Sequence, residues 1–169
     1  ATSVPDDSAP PDDGATLEVT IAHINDHHSH LQPGGGSVDL GTAGGEFDYE
    51  LGGFPRVATM VDEIATRSDH LVKVHAGDAI TGTLFYTLFN GEADAALMND
   101  VCFDVFEVGN HEFDAGDEVL AEFLGYLNSG DCSTVTLGAN IVPEFGTPLL
   151  PEPGTQLLRP YHIIQFDGQ

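Results

Sequence analysis

Three apolar runs in this chain each stop at residues that bind metals, and this limits the possible folds more than any other feature. The runs cover residues 17–24, 71–75 and 103–108. The polar stretches that follow are Asn25-Asp26-His27-His28, Ala76-Gly77-Asp78 and Gly109-Asn110-His111-Glu112-Phe113-Asp114. Leu17, Val19 and Ile21 alternate with Glu18 and Thr20, the period of two that marks a β-strand, and Leu71-Val72-Lys73-Val74 reads as the next strand. In an open α/β sheet the loops beyond the carboxyl ends of the strands converge on one crevice. Residues as distant in sequence as Asp26 and Asn110 can therefore meet at one point.

Between these strands the pattern changes to helical spacing. Val57, Val61, Ile64 and Ala65 predict a helix over residues 55–67, with Pro55 early, where a missing N–H is tolerated. Two short helical stretches flank Asn90-Gly91. Val119, Leu120, Phe123, Leu124 and Leu127 predict a helix over 117–127. Residues 134–138 and 161–166 read as a fourth and a fifth strand, and 143–153 as a Pro-rich loop. Residues 32–53 read as a glycine-rich loop. Its segment 34–45 lacks Gly-Lys-Ser/Thr and so is no Walker-type phosphate cradle. Strands alternating with helices indicate βαβ units, an α/β fold and a mainly parallel sheet.

With 169 residues, the chain can hold one ordinary domain with a real core. No stretch approaches the roughly 20 apolar residues that cross a bilayer, so no membrane span is expected. The start at Ala1 rather than Met reads as a mature terminus left after export, with a trimmed sequence as the alternative. A Pro/Asp/Ser-rich tail over residues 1–14 is expected to be flexible. Four basic residues (Arg56, Arg67, Lys73, Arg159) face 28 acids, a net charge of −24. That field repels nucleic acid and anionic membranes, so neither is an expected partner. The acids are spread along the chain, which suggests a surface adapted to salt, where about 1 M electrolyte shortens the Debye length to about 3 Å.

The two cysteines, Cys102 and Cys132, lack Cys-x-x-Cys spacing, which rules out a zinc knuckle or thioredoxin-type motif. They precede the third and fourth strands. If these strands are neighbours in an exported protein the pair can form a disulfide; two buried free thiols are the alternative.

Asp26 and His28 lie two positions apart on one loop and can reach the same cation. Asp78 offers two carboxylate oxygens that can bridge two ions, and Asn110 adds a neutral carbonyl oxygen. Mixed nitrogen and oxygen ligands suit Zn, Mn, Fe or Co rather than a calcium cage. Two such ions can clamp a phosphate and activate water. His111 follows Asn110 directly and should point elsewhere; Asp114, three residues on, can accept its second ring proton. Glu112 reads as a structural partner and His30 as ambiguous. No ligand role is expected for His27, and structural roles are expected for His23, His70, His75, His162 and Asn140. No Ser, Cys or Thr is placed beside a base as a nucleophile, so water is the expected attacking group.

The order of these stretches resembles the calcineurin-like metallophosphoesterases, and more narrowly the 5′-nucleotidase/UDP-sugar hydrolase branch. It runs from about Thr16 through Gly52-Gly53-Phe54, Gly77-Asp78-x-x-x-Gly82, Gly109-Asn110-His111-Glu112-Phe113-Asp114, Gly138-Ala139-Asn140-Ile141 and Pro160-Tyr161. The resemblance implies a layered α/β sandwich and two divalent ions, Zn or Mn first, with Fe or Co possible. Asp26, His28 and Asp78 would serve one ion, Asp78 and Asn110 the other, and His111 with Asp114 would stabilise the transition state and leaving oxygen. It implies hydrolysis of nucleotide phosphate esters in the periplasm, at the cell surface or outside the cell. UDP-sugar or NAD pyrophosphatase and 2′,3′-cyclic phosphodiesterase activities are the alternatives within the family; an acid-rich cation-binding module is the non-enzymatic one. Residues 15–169 would then be the first half of the catalytic domain. The remaining ligands and the nucleotide-binding domain would lie in the rest of the polypeptide or in its cleaved C-terminal part.

Overall fold

The computed structural model describes residues 16–41, 44–154 and 157–168. The tail expected over residues 1–14 lies outside the described residues. Four parallel strands form the central sheet: β1 (Thr20–Ile24), β4 (Leu71–His75), β5 (Val105–Glu107) and β6 (Val135–Leu137), in the spatial order β1-β4-β5-β6. The register aligns Thr20 with Leu71, Val74 with Val105, and Val105 with Val135. The fold class is therefore α/β with a mainly parallel sheet.

Helix α1 (Phe54–Ala65) carries β1 to β4, with Pro55 in its first turn. Helices α2 (Leu84–Phe89) and α3 (Glu92–Val101) connect β4 to β5, and α4 (Asp117–Leu127) connects β5 to β6. The Thr83 hydroxyl caps α2 by accepting the N–H of Phe85 at 3.2 Å. Left-handed Asn90 ends α2 and left-handed Gly91 opens α3. Phe103, Phe106, Phe123, Met98, Leu120 and Leu127 are fully buried between α3, α4 and the sheet. Cys102 and Cys132 are joined as a disulfide, with Cα atoms 5.4 Å apart, tying the end of α3 to the approach of β6.

Two sequence expectations need correction. The glycine-rich loop is instead an antiparallel hairpin, β2 (Gly34–Asp39) with β3 (Glu46–Leu51). Glycines hide the strand pattern of β2, yet Phe47, Tyr49 and Leu51 alternate with Asp48 and Glu50. Opposite Tyr49, Gly36 leaves the space that the phenol ring takes: an added Cβ would lie 2.8 Å from its oxygen. Residues 161–166 form no strand. The sheet gains only a single bridge just before them, Leu137 to Arg159, and Gly138 O, the acceptor a further ladder bond would need, takes Ile141 N–H at 3.1 Å instead. Tyr161 and Ile163 remain exposed, as do Val19 and Ile21 on the outer face of the sheet.

Candidate metal centre

The loops after β1, β4 and β5 meet where the sequence places its polar stretches. Pairing continues past the strand ends: Asp26 N–H donates to Gly77 O at 3.0 Å, His28 N–H to Asp78 O at 3.2 Å, and Ser29 N–H to Ala79 O at 2.9 Å. Along these loops Asp26, His28, Ser29 and Asp78 all have left-handed backbones, with φ of 52°, 44°, 53° and 53°. Such conformations cost energy in non-glycine residues and gather at functional sites.

His28, Asp78 and His111 place one donor atom each within 4.8 Å of one another, a span that suits a shared cation. The ring centroids of His28 and His111 are 4.9 Å apart, near perpendicular. Asp26 approaches from the rim, its Oδ1 3.7 Å from His28 Nε2. Its carboxyl is held below the ordinary value, first by the Asn25 amide that donates to it and also by hydrogen bonding with Asp78. Asn110 is exposed on the same loop as His111, and its carbonyl accepts Phe113 N–H at 3.3 Å. The His111 ring, expected at the site but not in the direction of Asn110, lies with His28 and Asp78.

His111 is also tied on both sides. Its Nδ1 lies 2.7 Å from Asp114 Oδ2, and its backbone N–H donates to Asp78 Oδ1 at 2.9 Å. The Asp114 hydrogen bond raises the imidazole above its ordinary pKa. Thr81 Oγ1 lies 3.5 Å from His28 Nδ1, a hydroxyl beside an imidazole that sequence reasoning did not place.

Glu112 is fully buried and stitches two loops together. Its Oε1 accepts Ala79 N–H at 2.7 Å, and its Oε2 accepts Asp78 N–H at 2.9 Å and Gly109 N–H at 2.7 Å. Burial pushes this carboxyl up, while the backbone donors pull it down. Gly109 must lack a side chain, because a Cβ there would overlap the Asp78 carboxylate and come within 2.6 Å of its backbone nitrogen.

A buried group behind the site escaped sequence reasoning. His75 and Asp94 are fully buried and His27 is largely so, and the three form a hydrogen-bonded row. Burial, with help from His27, drives the His75 pKa down to about 3. Asp94 shares the inward stripe of α3 with Met98 and Val101, and an acid on an apolar stripe was the available signal. Of the other expected structural residues, His70 pairs with Asp167 at 3.1 Å, His30 bonds the His27 carbonyl at 3.0 Å, and His23, Asn140 and His162 are exposed.

Strand-end loops of an α/β fold thus present carboxylate and imidazole to one point. Residues 19–162 match the calcineurin-like phosphoesterase family, and the chain belongs to it. It is 46% identical over 153 residues to a probable 5′-nucleotidase of Treponema pallidum, covering 90% of this chain and 24% of that protein. The structure of the NAD nucleotidase of Haemophilus influenzae superimposes with a TM-score of 0.78 at 40% identity, covering 90% of this chain and 28% of that one. A 5′-nucleotidase precursor of Thermus thermophilus gives a TM-score of 0.70 at 30% identity, over 89% and 27%. The chain thus spans about a quarter of the length of these relatives.

Proposed function

We propose that this chain is the first half of a two-metal 5′-nucleotidase-type domain that hydrolyses nucleotide phosphate esters by direct attack of water. The observation that carries this reading is the meeting of His28, Asp78 and His111 from three separate strand-end loops. The donors fit the group: imidazole nitrogen with carboxylate oxygen suits Zn, Mn, Fe or Co. Asp26, His28 and Asp78 would hold one ion, and Asp78 with Asn110 the second. Two divalent ions would supply Lewis acidity toward the phosphate and an activated water.

The chain's own residues do the positioning. Asp114 holds Nδ1 of His111, which leaves Nε2 free to protonate or hydrogen-bond the leaving oxygen. The bond from His111 N–H to Asp78 keeps that ring at a fixed distance from the shared carboxylate. Exposed Val19, Ile21, Tyr161 and Ile163 support a further layer from the rest of the polypeptide covering the sheet. Among the described residues no helix is long and apolar enough to cross a membrane. The disulfide supports an exported location, and the spread of 28 acids supports a saline one.

The likeness to a protein named for NAD favours a second reading, cleavage of a dinucleotide pyrophosphate bond. To test both, the protein that carries this chain is assayed on 5′-AMP, UDP-glucose, NAD and 2′,3′-cyclic AMP with Mn²⁺ or Zn²⁺, alongside a metal count by X-ray fluorescence. Two ions with phosphate release from 5′-AMP support the first reading. Ions without hydrolysis of any of the four would leave an acid-rich cation-binding module.

A further inference from the structure

The loop that carries Asp26 and His28 has left-handed residues on both sides of His27, and the His27 and Ser29 side chains reach inward from it. Three hydrogen bonds run in one direction from Gly77 through His75 and His27 to Asp94, and a fourth reaches Asp94 from Ser29. Gly77 N–H donates to His75 Nδ1 at 3.2 Å, which leaves the His75 proton on Nε2. That nitrogen lies 2.8 Å from His27 Nδ1, so His27 accepts there and carries its own proton on Nε2. His27 Nε2 lies 3.0 Å from Asp94 Oδ1, and Ser29 Oγ donates to Asp94 Oδ2 at 3.1 Å. Each donor meets one acceptor, so a single tautomer satisfies every member. Asp94 sits in the first turn of α3, where the helix dipole favours a carboxylate.

We propose that His27, His75 and Asp94 are positioning residues for the metal centre: the row anchors the Asp26–His28 loop to strand β4 and helix α3. The inference rests on the reading of Asp26, His28 and Asp78 as ligands. Apart from the row, three backbone hydrogen bonds and the Thr83 hydroxyl, which donates to Ser29 O at 2.8 Å, tie that loop to the residues after β4. An outer hydrogen-bond partner of a metal site commonly changes affinity by about 10–100-fold when removed.

The test is equilibrium binding of Mn²⁺ alone to the intact protein that carries this chain, with no substrate. Asp94→Ala and His27→Phe are expected to weaken binding by about 10–100-fold. Asp94→Asn, which can still accept from His27 and pair with Ser29, is expected to stay within about threefold; this separates geometry from charge. Leu127→Val, a mild core change distant from the site, is expected to bind as the unaltered chain does. An unaltered chain that binds no Mn²⁺ overturns the metal reading and this proposal together. An unaltered chain that binds, with Asp94→Ala and His27→Phe binding equally well, overturns the positioning role alone. Should these variants fail to fold, long-range ¹H–¹⁵N NMR on the unaltered chain decides. Nε2–H protons on both His27 and His75 support the row, and an Nδ1–H on either one ends it.

Discussion

The buried carboxylate of Glu112 accepts the backbone N–H of Asp78 at 2.9 Å, so one acidic side chain sets the position of another. The same oxygen takes Gly109 N–H, and its neighbour takes Ala79 N–H. Glu112→Gln turns an amide NH₂ toward these donors. We expect a loss of about 1–3 kcal/mol in denaturant unfolding, with weaker Mn²⁺ binding. Unchanged stability would show that the carboxylate is not what joins these loops.

His111 stands both in the metal cluster and on Asp114, and substitution separates the two roles. His111→Ala in the intact protein is expected to lower kcat by about 10²–10⁴-fold, the usual range for a proton donor, with metal content unchanged. A loss of bound metal on X-ray fluorescence would instead make His111 a ligand.

Acid should unfold the chain partly through His75. Its folded pKa of about 3 lies below the ordinary 6.5, so the fold favours the uncharged ring. The resulting stability is complete above about pH 6.5 and is lost as pH falls toward 3, at up to about 1.4 kcal/mol per pH unit. His75→Phe should flatten that part of the stability curve. An equally steep acid limb in the variant would assign the loss to other groups.

Screening should stabilise a chain with 28 acids and four bases. We expect the melting temperature to rise between 0.1 M and 2 M NaCl. A flat or falling curve would count against adaptation to salt; sulfate is avoided because it strengthens apolar burial by itself.

The Cys102–Cys132 link closes a separation of 30 residues. Reduction, or Cys102→Ser with Cys132→Ser, is expected to cost about 3–4 kcal/mol on the chain-entropy account. Two alkylatable thiols in the unreduced, unfolded protein would show that the link does not form.

The sheet and the meeting of its loops were legible because β1, β4 and β5 each pair an apolar run with a polar end, and parallel order fixes where those ends gather. The hairpin was hidden because Gly34, Gly35 and Gly36 carry no side-chain pattern. The row behind the site was hidden because residues 27, 75 and 94 become neighbours only once β1, β4 and α3 have packed. Residues 161–166 alternate like a strand, but alternation supplies no partner, and the chain turns after β6 so that Gly138 O accepts Ile141 N–H rather than a ladder bond.

The left-handed backbones at Asp26, His28 and Asp78 also govern which variants of this site can arise. Among residues with a side chain, Asn, Asp and His tolerate that conformation best, and β-branched residues tolerate it worst. The residue types these loops can accommodate are therefore largely those able to hold a cation. A single substitution that abolishes binding here, such as one to Val or Ile, also strains the backbone. Drift away from metal chemistry is thus confined mainly to glycine, the one small residue with no penalty at positive φ.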